Sequence, residues 1–218
     1  MFAYPKQAEF NRVVPKAKIY AHTKVSRRIR ECFVTQVDEI LWKYKLAPET
    51  INLPARNGIH EIQVFEITLK TAEFDEALLQ VIDKAIPFPL LIQLVHGGHI
   101  RFAASYKRPS DADKSKWVIE GSFQTAPQPL DAERPSLPVA LDLASLYEQM
   151  VSRHIPLPAR NGERVAEQVA RYAAIEARQR TKQQLESQLA SEKQFNRKVA
   201  LNATLRSLSR ELETLTGH

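Results

Sequence analysis

The chain has 218 residues, 44% of them hydrophobic, with 31 Lys and Arg against 25 Asp and Glu. That composition suits a sizeable core with an appendage, or two small domains, and no apolar run reaches the roughly 20 residues that a membrane-spanning helix needs. A single cysteine, Cys32, excludes an intrachain disulfide and a cysteine-based metal knuckle, and an N-terminus, MFAYPKQAEFNRVV, without the apolar region and cleavage site of a signal peptide points to a cytoplasmic protein.

Residues 1–22 contain Pro5 and Pro15 and no sustained periodicity. They read as an arm that becomes ordered near Lys18-Ile19-Tyr20. Thr23 or Ser26 then caps a short helix to about Thr35, with Val25, Ile29, Cys32 and Phe33 at helical spacing. Cys32 sits in that apolar stripe with no histidine beside it, which is the setting of a packed thiol and not of a nucleophile. The other face carries Lys24, Arg27, Arg28 and Arg30.

Residues 37–46, VDEILWKYKL, alternate with period two and predict a half-buried strand. Residues 59–70, IHEIQVFEITLK, are apolar on both faces and predict a strand inside a sheet. Glu73 to Ala85 reads as a helix with an acidic first turn, and Pro87 and Pro89 bar its continuation. PLLIQLV and IRFAASYKR, joined at His96-Gly97-Gly98-His99, predict a hairpin, because two glycines supply the positive φ values of a primed turn. Trp117–Gln124 adds a further strand.

Residues 126–162 hold six prolines and read as a connector around a short helix at Leu141–Val151. From Glu163 to about Leu215 there is neither Gly nor Pro, and strong helix formers dominate. Leu201, Leu205, Leu208, Leu212 and Leu215 step by four and three, the spacing of a coiled-coil seam. Upstream stripes (Val165, Val169, Tyr172, Ile175; then Leu185, Leu189) are out of phase with it. The packing face therefore shifts across residues 191–199. A helix that changes partner there is favoured over a chain reversal, which normally uses Gly or Pro. The predicted architecture is α+β: a mixed, mostly antiparallel sheet with packed helices over 1–125, a connector over 126–162 and a long helical, coiled-coil-like arm over 163–218.

Charge is unevenly spread. Residues 1–35 hold eight basic and two acidic side chains, 36–100 five and nine, and 163–218 ten and seven. Basic ends of this kind are the electrostatic footprint of a nucleic-acid binder, and they compete with the plainer reading of a solvated basic face.

Other chemistries find little support. His96 and His99 flank a turn without a third ligand near in sequence, so no metal site is assigned. A Mg²⁺-dependent nuclease would use Asp38 on one strand with Glu66 and Lys70 on the next, but Thr68 stands where a second acid is expected beside the lysine. No phosphate-cradling glycine loop and no serine elbow is present, and no cofactor is expected.

KIYAHTKVSRRIRECFV running into VDEILWKYKLAPETINL, then FDEALLQVIDKAIPFPLLIQL, IRFAASYKR and SEKQFNRKVALNATLRSL, together resemble an uncharacterised bacterial family, a domain of unknown function of similar length. The resemblance implies genes beside helicases and DNA methyltransferases in restriction-like or phage-defence loci. It carries over no catalytic residue. Within the matched stretches Lys24, Lys45, Lys84, Lys107, Lys198 and Asn202 are the polar positions to test.

The expected function is that of a non-enzymatic accessory subunit of a DNA-processing, restriction or phage-defence system. Lys24, Arg27, Arg28, Arg30, Arg197 and Lys198 would contact phosphates. The leucine seam would dock to a second copy, as a homodimer, or to a helicase or other ATPase. A degraded nuclease and a purely structural homo-oligomerising module are the alternatives. The hexapeptide LPARNG, at Leu53–Gly58 and Leu157–Gly162, precedes a strand in one copy and a helix in the other, so it reads as boundary grammar and not as a duplicated domain. A shared binding loop through Arg56 and Arg160 is the competing reading.

Overall fold

Val, Ile, Leu and Phe crowd the stretches that become strands, and in the computed structural model they pair into one seven-stranded sheet. The structure describes residues 2–217 except 111, 114 and 115. The strands are β1 (Glu9–Val13), β2 (Val37–Leu46), β3 (Ile62–Leu69), β4 (Leu90–His96), β5 (His99–Pro109), β6 (Trp117–Gln124) and β7 (Gln128–Pro129). Their order is β1-β2-β3-β4-β5-β6, with β7 also paired to β5. Only β3 and β4 run parallel; the other pairings are antiparallel. A parallel pair needs a crossover, and helix α4 (Glu76–Ala85) provides it. The fold is α+β, and the chain forms two compact units, Met1–His154 and Ile155–His218.

In the first unit, α1 (Lys16–His22), α2 (Arg27–Gln36) and α4 contribute Ile19, Phe33, Leu78 and Ile82 to one core. Ile40, Phe65, Ile67, Leu90, Ile92 and Leu94 of the sheet complete it. The helix α5 (Leu143–Ser152) lies against the other face, where the Tyr147 ring stacks at 6.4 Å on Tyr106. The Tyr147 hydroxyl donates to the Ser105 carbonyl and accepts the Lys107 amide N–H at 2.8 Å. Asp142 caps α5 by accepting the Ser145 N–H at 2.7 Å, a capping box with Ser145. A short helix, α3 (Pro48–Ile51), follows β2.

The first 22 residues are more than an arm. β1 pairs with β2, and α1 buries Ile19. Asn11 at φ 47° interrupts β1 and shifts its register, which erases the alternation that would have marked a strand. Phe10 nevertheless finds Trp42 at 4.2 Å. The Gly97-Gly98 turn forms as expected, with φ of 54° and 76°.

Helix ends here are closed by lysines. Lys16 Nζ donates to the carbonyls of Phe33 (2.9 Å) and Val37 (2.6 Å), and Lys70 Nζ to that of Val34 (3.0 Å), at the end of α2. The end of α4 receives Lys107, which is 1% exposed. Its ammonium meets Asp83 Oδ1 at 2.8 Å and the carbonyls of Asp83, Ile86 and Phe88 at 2.6, 2.9 and 3.0 Å. Cations there satisfy orphan carbonyls and oppose the helix dipole.

The second unit corrects the favoured picture of a helix that changes partner. α6 (Val165–Ser191) and α7 (Phe195–Thr216) pack on each other as a reversed pair, with Arg178 bound to Glu211 at 2.8 Å. The reversal needs no glycine because Glu192 turns in extended geometry (φ −70°, ψ 135°). Its carboxylate accepts the N–H groups of Lys193 and Gln194 at 2.7 and 2.8 Å. On α6, buried or half-buried positions run in steps of three and four from Gln168 through Arg171, Ile175, Arg178, Lys182 and Leu185 to Leu189. Polar residues at four of those positions hid this seam from a reading of apolar stripes.

Two arginines close the open end of the hairpin. Arg160 donates to the carbonyls of Thr214 (2.6 Å), Leu215 (3.2 Å) and Gly217 (2.8 Å). Arg171 donates to Leu215 (3.1 Å) and Pro158 (2.6 Å) and holds Glu163 through two bonds of 2.6 and 2.7 Å. The Arg171 bonds keep the Glu163 carboxyl below its usual range. A depressed folded value means that this contribution is full above the ordinary carboxyl range, near 4.5, and fades as pH falls through the lower folded value. Unfolding of the hairpin should therefore become easier below about pH 4.5, and Glu163→Gln should remove that part of the acid sensitivity; thermal melts from pH 3 to 7 of both proteins test it. Identical acid profiles would show that Glu163 contributes nothing.

Candidate nucleic-acid interface

Because α1, α2 and α4 pack on one sheet face, their outer surfaces lie together. α1 supplies Lys18 and His22, the α1–α2 turn Lys24, α2 Arg27, Arg28 and Arg30, and α4 Lys84; all are exposed. Their engagement differs. Arg27 pairs with Glu31 at 3.0 Å, and Arg28 with Asp75 at 2.7 Å. Arg30 lies 5.2 Å over the Tyr20 ring. Lys18, Lys24 and Lys84 have no ion-pair partner among the described residues. Lys18, His22 and Lys84 were not grouped by sequence, since Lys84 reaches the others only through packing of α4 on α1.

These three residues surround a cavity of about 460 Å³. Trp42, Phe65 and Phe88 line it, with Ile19 and Ile86 also contributing. No carboxylate belongs to the lining among the described residues. Trp42 and Phe65 face each other across β2 and β3 at 6.0 Å, and the Trp42 indole N–H is committed to the Tyr44 carbonyl at 2.9 Å. What Trp42 presents to the cavity is therefore ring surface.

The remaining expected positions divide clearly. Arg197 lies 3.8 Å from Glu192 near the hairpin turn, next to exposed Lys198. Phe195 and Val199 beside them are 77% and 52% exposed. The seam leucines Leu201, Leu205, Leu212 and Leu215 are half-buried and Leu208 is buried on α7. Lys45 is held by Glu49 (2.7 Å) and Glu61 (3.6 Å), and Asn202 donates to the Lys198 carbonyl at 2.9 Å.

Glu66 is paired with Lys43 across the sheet, Lys70 caps α2, and Asp38 is exposed on β2. No group of three or more His, Cys, Asp or Glu able to hold a metal ion exists among the described residues. His96 and His99 each place Nδ1 by a carbonyl, of Leu69 (3.0 Å) and Gly97 (3.1 Å). A carbonyl only accepts, so Nδ1 carries the proton in both.

The two LPARNG copies make different turns. In the first, Asn57 and Gly58 both have positive φ (53° and 78°) and Arg56 and Ile59 exchange backbone bonds. In the second, only Gly162 does (75°). Arg56 binds the α5 cap Asp142 at 3.1 Å, whereas Arg160 caps α7. Each arginine holds a helix end.

The chain belongs to the family described as Domain of unknown function (DUF4391). The family model matches residues 2–212, so the family extends over the sheet and the hairpin alike. No curated protein and no solved structure matched the chain. No helix among the described residues is long and apolar enough to cross a membrane.

Proposed function

We propose that the protein is a non-enzymatic accessory subunit of a bacterial DNA-processing, restriction or phage-defence system. It binds nucleic acid through the basic face of α1, α2 and α4. It binds a protein partner, a second copy or an ATPase of the helicase kind, through the helical hairpin. The observation that carries the first part is the gathering of Lys18, His22, Lys24 and Lys84 beside Arg30 without an acid bound to any of them among the described residues. Phosphate oxygens are the acceptors that such a face lacks. The bacterial setting comes from the family resemblance.

For the second part, the seam leucines of α7 are already largely covered. The surface that the hairpin keeps open is its turn, where Phe195 and Val199 stand beside Arg197 and Lys198. A partner with an apolar and acidic surface suits it.

Fluorescence anisotropy of labelled oligonucleotides against salt tests the nucleic-acid part. A face making about four phosphate contacts loses about 150-fold in affinity between 50 and 200 mM salt on duplex DNA. No binding at low salt would remove this half of the proposal. The same samples with Mg²⁺ test the competing reading: strand cleavage that Lys70→Ala abolishes would replace the accessory role with a nuclease.

A further inference from the structure

We infer that the cavity between α1, the end of α4 and the β2–β3 part of the sheet receives one unpaired base of a single nucleic-acid strand, with neighbouring phosphates on Lys18, His22 and Lys84. The inference rests on the nucleic-acid reading above and narrows it to single strands.

Three features of the cavity select this occupant. Its volume of about 460 Å³ falls within the usual range of small-ligand sites. Its floor is aromatic, from Trp42, Phe65 and Phe88, which a bare inorganic anion would not use. Its rim is cationic with no carboxylate in the lining among the described residues, which disfavours a neutral or cationic ligand. A nucleotide within a strand is apolar and planar at the base and anionic at the backbone, so it matches both. In a duplex the base faces are stacked and hidden, and only the phosphates remain available. Aromatic platforms with a basic track are the recurring means of holding single strands, because every base has a π-face. Gln63 also lines the cavity, but its amide nitrogen already donates to the Glu61 carboxylate, so the aromatic rings and not this amide carry the assignment. Phe88 is half-buried, lines the cavity and makes no ring contact among the described residues, so no aromatic side chain competes with a base for it.

The protein contains two tryptophans, Trp42 and Trp117. Trp117→Phe leaves Trp42 as the sole reporter at the cavity. Titration with a 12-nucleotide single strand should quench Trp42, while the matching duplex should not. Anisotropy should show the strand binding roughly tenfold tighter than the duplex at equal salt, the scale of one stacked base. Phe88→Ala should remove that preference, bringing strand affinity down to the duplex value. Because Phe88 is half-buried, Lys84→Glu, on an exposed position, is measured alongside and should weaken the strand by at least the same factor. Equal affinity for strand and duplex, or a preference that survives both changes, overturns the inference while salt-dependent binding upholds the broader reading. No binding of either form fails both. A nucleoside monophosphate that quenches Trp42 as strongly as the strand, at equal concentration, makes the cavity a free-nucleotide site and overturns the strand assignment.

Discussion

Lys107→Met should lower the stability of the first unit by about 3–5 kcal/mol, the usual consequence of removing one member of a buried ion pair. The side chains of Lys107 and Asp83 are 1% and 5% exposed and lie 2.8 Å apart. Without the ammonium, the Asp83 carboxylate stays buried with no countercharge. The carbonyls of Asp83, Ile86 and Phe88 also lose their shared donor. Asp83 Oδ2 has no hydrogen-bond partner among the described residues, so the carboxylate has no reserve. Burial pulls the Lys107 ammonium below the usual lysine range, and Asp83 works against that pull; the pair persists because four oxygens converge on one nitrogen. For a unit of this size, the loss corresponds to a fall in melting temperature of roughly 6–20 °C. Adding Asp83→Leu should recover part of the loss, because the stranded charge goes while the orphan carbonyls remain. Calorimetry of the two variants and the parent tests this. A single variant that melts within about 2 °C of the parent would sink the account.

The second large effect concerns binding. Lys24→Glu with Arg30→Glu should weaken oligonucleotide binding by roughly tenfold to a hundredfold and reduce the slope of log affinity against log salt by about two. Both residues are exposed, and neither is paired with an acid among the described residues. The melting temperature should hold, since surface substitutions of this kind usually cost under about 0.5 kcal/mol. Arg27→Glu with Arg28→Glu is the comparison. Those two side chains already bind Glu31 and Asp75, so their reversal should change the salt slope less. A slope unchanged by Lys24→Glu with Arg30→Glu would move the phosphate contacts off this face.

The sheet was legible where periodicity was strong. The residues of β2 and β3, the Gly97-Gly98 hairpin and α4 with its acidic start stand close to where alternation, turn chemistry and helix signals put them. β1 was hidden because one left-handed asparagine breaks its alternation. The hairpin was hidden because its two cues, a breaker residue and an apolar stripe, are both missing. Glu192 makes the reversal with its carboxylate, and α6 builds half of its seam from Gln168, Arg171, Arg178 and Lys182.

The candidate site shows the same division. Basic residues near the N-terminus were visible as charge, but charge alone does not say which cation is spoken for. Lys16 and Lys70 close a helix, Lys107 is buried, and Arg27 and Arg28 hold acids. Lys18, Lys24 and Lys84 are left over. LPARNG carries the lesson furthest, since identical residues form two different turns and send their arginines to opposite kinds of helix end. By itself the sequence determined which stretches become strands or helices and where charge accumulates, because propensity and periodicity act over a few residues. Only the tertiary structure decided which lysine meets a carbonyl, which meets an acid and which remains open to a ligand, because those pairings join positions tens of residues apart.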